Sequence, residues 1–273
     1  MQKTIGLIDI GDELIRQDID IGSILKALAI QLKLINNAER GINIKQLFGG
    51  HLYRTACVST IIANELAEEG VMNATEVVLM YVASYIHDIG KISVPPSILN
   101  KTSKLTTREY NIVKKHVTQV GNLLDNMDRE IKQTKEYKFI RNVIELHHVH
   151  WKGDNGYPNT SLEGDKLPLE SRICSIADAY DSLTSYRPYR LPVRHEIAVE
   201  EICNNSGGQF CPYLVKVFTQ CEQKIKSRAC NDYNGDYYLG LGKLLIMKGR
   251  GKYEYQKILE DNGKSYREEV DGI

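Results

Sequence analysis

A chain of 273 residues suits one large domain, or one domain with short additions, and an apolar fraction of 42% allows a sizeable core. Lys plus Arg equals Asp plus Glu at 35 each, so the charge balance gives no support to bulk nucleic-acid binding or an acidic partner surface, and leaves open a small anionic ligand in a local basic pocket. No run of about 18 apolar residues occurs, which excludes a membrane-spanning helix, and the acid-studded start from Met1 to Asp20 lacks the basic-then-apolar order of a secretory signal, so a cytoplasmic protein is expected.

Along the chain, helical spacing dominates. Ile24, Leu25, Leu28, Leu32 and Ile35 begin it, and the region to about Gly50 reads as two or three short helices. A helix is predicted from about His51 to Glu69, stopped by Gly70, and another over Ala74 to Ile86. Gly90 to Thr106, with Pro95 and Pro96, reads as a loop. The next helix opens at Thr106, where Glu109 completes a capping box, and carries Ile112, Val113, His116, Val117 and Val120. A further helix spans about Glu136 to His150, with Phe139, Ile140, Val143, Ile144 and His147 on one face. Lys152 to Pro168, rich in Gly, Asn and Pro, is irregular. Helices then follow over about Leu169 to Ser185, after His195 and after Pro212. Past about Ser227 the pattern decays into Tyr and Gly clusters and alternating charge, a tail left unassigned. The fold class is all-α: a helical bundle-like domain with a smaller helical N-terminal part.

Six cysteines occur, none in a Cys-x-x-Cys pair. Cys57 and Cys174 lie in apolar helical runs, as small hydrophobes do, and the last four fall 8 to 10 residues apart, which fits no common zinc spacing. The histidines are more telling. Six of the seven lie between His51 and His150. His87-Asp88 and His147-His148 are adjacent pairs at the ends of apolar helices, His51 and His116 open or ride on others, and Asp178 stands inside the run Ile176-Ala177-Asp178-Ala179-Tyr180. A carboxylate among apolar helix neighbours is costly unless paired or metal-bound. Imidazole and carboxylate together suit Mn, Fe or Zn, and two ions about 3.5–4 Å apart can clamp a phosphodiester. His150 and His195 are read as ordinary core or surface histidines.

Beyond these residues, the segment Tyr85-Ile86-His87-Asp88-Ile89-Gly90-Lys91-Ile92 resembles the HD signature of HD-GYP phosphodiesterases. The resemblance continues through Val94-Pro95, Lys104-Leu105-Thr106, Lys114 to His116, His147-His148, Gly156-Tyr157-Pro158, Arg172-Ile173, Ala177-Asp178, Tyr180-Asp181 and Arg187-Pro188-Tyr189-Arg190, from about His51 to Phe218. It implies an HD-GYP catalytic domain over 51–226, which the helical pattern flanks with an N-terminal helical region over 1–50 and an unassigned C-terminal extension over 227–273. It further implies that His51, His87, Asp88, His116, His147, His148 and Asp178 ligate two divalent metals, Fe or Mn, with Asp88 bridging them. Lys91 would steady the scissile phosphate or the attacking hydroxide, and Arg187, Arg190 and Tyr157 would hold the ligand. The implied activity is hydrolysis of a cyclic dinucleotide, most simply cyclic di-GMP, to the linear dinucleotide by a metal-bridging hydroxide. The alternatives are a catalytically weak cyclic-dinucleotide-binding effector and an HD-domain phosphohydrolase acting on another nucleotide. Neither nucleic acid nor membrane is an expected partner; a homodimer or protein partner is left open.

Three departures from the family pattern stand out. Leu47 occupies the position of a Glu that serves a third metal in some members, hence the expectation of two ions. Val149 and Lys152 replace a usual Glu and Asp, with one extra residue before Tyr157. Cys211 stands where Phe-Asp-Pro would put its Asp, a position read as a helix cap.

Overall fold

The computed structural model describes residues 50–125, 128–185 and 191–229. The expected N-terminal helices, the unassigned tail, Leu47, Arg187, Arg190 and Cys230 lie outside them.

Gly50–Glu68 forms the first described helix, α1, whose buried positions run almost unbroken from Thr55 to Asn64. A helix apolar all round must be central, and α1 indeed packs against the helices Ala74–Tyr85 (α2), Leu169–Thr184 (α6) and Pro212–Ala229 (α8). Gly70 ends it in the left-handed region at φ 76, with Val71 N–H on the Leu66 carbonyl at 2.8 Å and Gly70 N–H on Ala67 at 3.1 Å. That pair of bonds is a Schellman cap, and only glycine adopts its geometry without strain.

The α2 helix starts at an Asn73/Glu76 capping box and buries every residue from Val77 to Tyr85. Against it packs Lys135–Leu146, α5 in chain order, which buries only one stripe, Tyr137, Ile140, Val143 and Ile144. The α6 helix completes this core with Ile173, Cys174, Ile176 and Ala177, each fully buried. His195–Asn204 (α7) and α8 close the far side, where His195 bridges the Tyr180 hydroxyl (2.8 Å) and Glu222. The bland reading of His195 therefore holds: both ring nitrogens have structural partners. None of the five described cysteines is in a disulfide.

Two expectations are corrected. The helix from Thr106 is two helices, Thr107–Lys114 (α3) and His116–Asp125 (α4). At the junction Lys115 N–H bonds to Ile112 and Thr118 N–H to Lys115, both three residues back, so the chain turns by one tight step. The break turns the His116 ring toward Asp88 while Val117, Val120 and Leu124 enter the core. The helix expected to His150 stops at Leu146, because His147 is its C-cap and His148 begins a turn. Among the described residues no helix is long and apolar enough to cross a membrane.

Candidate metal centre

Three helix ends supply the site. The last carbonyls of a helix have no partner within it. Here each is met by the histidine that follows. His87 Nδ1 lies 2.6 Å from the Ser84 carbonyl at the end of α2, His116 Nδ1 lies 2.8 Å from Val113 at the end of α3, and His147 Nδ1 lies 2.9 Å from Val143 at the end of α5. A carbonyl can only accept, so all three Nδ1 atoms carry a proton, and in the neutral rings each Nε2 presents its lone pair.

Those lone pairs converge on Asp88. Its Oδ1 is 3.1 Å from His116 Nε2 and 3.9 Å from His147 Nε2. Its Oδ2 is 3.5 Å from His87 Nε2 and 3.6 Å from His51 Nε2. Asp178, from the middle of α6, faces the same space: Oδ1 is 3.3 Å from His51 Nε2 and 3.8 Å from His87 Nε2, and Oδ2 is 3.9 Å from His148 Nδ1. Thus all seven residues that the resemblance implied as ligands come together. They form three overlapping donor groups: Asp88 with His116, His147 and His148; His51 with His87 and Asp88; and His87 with His147 and Asp178. Asp88 is common to the first two, and the third links them.

The donor set fits a cation. His51 Nε2, His87 Nε2, Asp88 Oδ1, His116 Nε2 and His147 Nε2 are all buried without a hydrogen-bond partner. Lone pairs facing lone pairs at these distances repel unless a proton or a metal lies between them. Three carboxylates, Asp88, Asp178 and Asp181, face Lys91, ion-paired to Asp88, Arg54, paired to Asp181, and the His51 ring, so without a cation in the centre His51 must take up a proton to balance them. Burial would raise the Asp88 carboxyl, yet Lys91 and the surrounding imidazoles hold it well below the usual range; Asp178 is likewise low, chiefly through His51. His51 is pushed up to about 10, because the carboxylates of Asp178, Asp181 and Asp88 outweigh its burial. His148 is driven down to about 3 by burial, and burial also lowers His87 and His147.

Asp181 and Arg54 went unassigned in the sequence. His51 stands in the first turn of α1, and its Nδ1 bonds to Asp181 Oδ2 at 2.6 Å. Arg54 holds the same carboxylate through Nε at 2.5 Å and Nη2 at 3.2 Å, and Ser185 Oγ donates to it at 3.0 Å. The available signal was a doubled three-residue spacing, His51 to Arg54 and Asp178 to Asp181, which puts each pair on one helix face.

Around this centre the Gly156-Tyr157 loop folds back on the double histidine. Tyr157 N–H bonds to the His148 carbonyl at 3.1 Å, and the Tyr157 ring lies 4.5 Å from the His148 ring. Gly156 sits at φ 95, where any Cβ would run into the His148 carbonyl and His150. Val149 is buried and bridges to Gly156, so it serves the loop rather than the ligands. Lys152 is exposed and pairs with Asp154 at 3.4 Å. Cys211 is buried just ahead of α8, where the Arg172 guanidinium contacts its sulfur at 3.6 Å.

A protein-family model described as an HD domain matches residues 41–212. The chain belongs to the HD domain family. An HD domain binds divalent metal, and the converging donors supply a place for it. A cyclic di-GMP phosphodiesterase of Vibrio cholerae is 30% identical over 187 residues, covering 67% of this chain and 38% of that protein. A 3'3'-cGAMP-specific phosphodiesterase 2 of the same organism is 34% identical, covering 63% of this chain and 31% of that protein. A cyclic di-GMP phosphodiesterase of Thermotoga maritima is 34% identical, covering 60% of this chain and 43% of that protein. The chain therefore spans less than half the length of each of these relatives.

Proposed function

We propose that this HD domain is a metal-dependent phosphodiesterase that opens a cyclic dinucleotide, cyclic di-GMP or 3'3'-cGAMP, to its linear form. The observation that carries the reading is the disposition of Asp88: one oxygen faces His116 and His147, the other faces His51 and His87. A carboxylate so divided suits two cations side by side. His51, His87, Asp88 and Asp178 would hold one ion, and Asp88, His116, His147 and His148 the other. Imidazole with carboxylate favours Fe or Mn over hard, all-oxygen ions. Two such ions supply Lewis acidity to a phosphoryl oxygen and make water acidic enough to serve as nucleophile near neutral pH.

The protein groups do the rest. Asp88 and Asp178 stay ionised, because the surrounding cations and imidazoles hold their carboxyls low, so both are ready to ligate. The carbonyl bonds fix the tautomer of the three histidines that make them, so that in the neutral rings the Nε2 lone pairs are aimed inward. Lys91, half-buried against Asp88, is placed to steady the negative charge of the phosphate. The Tyr157 hydroxyl is pushed upward by burial and by the Asp88 charge, so it stays a donor and orients the substrate without competing as a base. Arg187 and Arg190 would grip the remaining phosphate oxygens.

The test is reconstitution with Mn or anaerobic Fe, followed by incubation with each dinucleotide and chromatography of the products. Linear dinucleotide is expected. Intact substrate with fully metal-loaded protein rejects the reading, and tight binding without turnover would put an effector in its place.

A further inference from the structure

We infer that Lys114 and Tyr110, with Tyr157, form the subsite for the part of the dinucleotide that lies beyond the metal cluster; this rests on the phosphodiesterase reading. Lys114 ends α3, one residue before the break that aims His116 inward. Its ammonium lies 4.9 Å over the Tyr110 ring and 6.0 Å over the Tyr157 ring. The Tyr157 ring in turn packs on His148 and stands 6.0 Å from His116. A cation is therefore held one aromatic ring away from the candidate metal ligands.

Its charge is available. Lys91 is ion-paired to Asp88, and Arg54 is paired twice to Asp181. Lys114, by contrast, has aromatic faces and no carboxylate as partners among the described residues. A cyclic dinucleotide carries two phosphodiester charges, and only one can sit on the metals. The second calls for positive charge at the rim, and Lys114 is placed to supply some of it. The substrate also carries two bases with apolar faces. Tyr110 is 46% exposed on a helix that buries none of its residues, so nothing in the described core accounts for a tyrosine there. An exposed ring beside a bound ammonium is a stacking platform for a base, with the cation adding to the attraction. Both roles act on binding and neither touches the reacting phosphorus.

The measurement is steady-state hydrolysis of cyclic di-GMP by the metal-loaded full chain, with metal content and thermal midpoint recorded for each variant. Tyr110→Ala should raise KM about 5- to 150-fold, the range of one base–aromatic stack, with kcat changed far less. Tyr110→Phe should keep the wild-type KM, since the face and not the hydroxyl binds. Lys114→Ala should raise KM about tenfold or more, and Lys114→Arg should restore it. Unchanged KM in both alanine variants, with wild-type turnover intact, overturns the subsite. So does a fall in kcat or metal content with KM unmoved. If wild-type protein leaves the dinucleotide intact, the phosphodiesterase reading fails separately. The subsite is then judged by calorimetric Kd for cyclic di-GMP in the same variants, where the same fold-changes are expected and equal affinities refute it.

Discussion

The two halves of the proposed metal centre are aimed by different means. His116 and His147 are fixed by carbonyls three or four residues back, at the ends of the helices that precede them, as is His87 in the other half. His51 draws instead on Asp181, 130 residues away on α6 and itself clamped by Arg54. Local carbonyls form whenever the helix ends form. A carboxylate from another helix is in place only when α1 and α6 are packed. The His51 half should thus be the more sensitive to its surroundings, and the more strongly donating, because a charged acceptor on Nδ1 raises the basicity of Nε2.

The largest effect should come from the residue both halves share. Asp88→Ala is expected to take metal content to near zero after dialysis and hydrolysis to background, by mass spectrometry and product chromatography. Loss of one ion with the other retained would break the idea of a shared ligand. Asp181→Ala should weaken only the His51 half, by about 10–100-fold in metal affinity. A metal titration should then show one of two steps displaced, with Asp181→Asn between wild type and Ala. Equal displacement of both steps would erase the distinction between the halves.

Metal removal is next in size. Holding free metal at about 100 times its Kd stabilises the folded state by roughly 2.7 kcal/mol per site. For a domain of this size each site is worth about 5–10 °C of thermal midpoint, so two filled sites should raise it roughly 10–20 °C over protein in chelator. The difference should shrink in Asp181→Ala at the same metal concentration. Smallest is Gly156→Ala, which forces a Cβ toward the His148 carbonyl at a positive φ and should cost about 1–3 kcal/mol of stability. Differential scanning calorimetry should register that loss while two metals stay bound, since the loop closes over the ligands without being one.

Much of this is legible in the sequence. Adjacent polar pairs at the ends of apolar helices, His87-Asp88 and His147-His148, and an aspartate inside Ile176 to Tyr180 all violate burial rules unless they meet, and they do meet. The capping boxes at Asn73 and Thr106 are local chemistry, and that of Thr106 was read directly. The break at Lys115 was not legible, because Lys is a good helix former and the turn answers to tertiary packing. Gly90 lies so close to the His116 carbonyl that no Cβ would fit between them, a contact that joins the His87-Asp88 turn to the start of α4. Asp181 was hidden for a related reason: an aspartate one turn after Asp178 looks like helix surface until His51 and Arg54 arrive from α1.

In this account Asp88 bridges two ions in one site. Electron paramagnetic resonance of protein loaded with Mn to saturation tests it most directly. Two ions about 3.5–4 Å apart with a common carboxylate are expected to be magnetically coupled, so the isolated-ion signal should give way to that of a coupled pair as loading reaches two per chain. A spectrum that keeps only isolated Mn at saturation would contradict it.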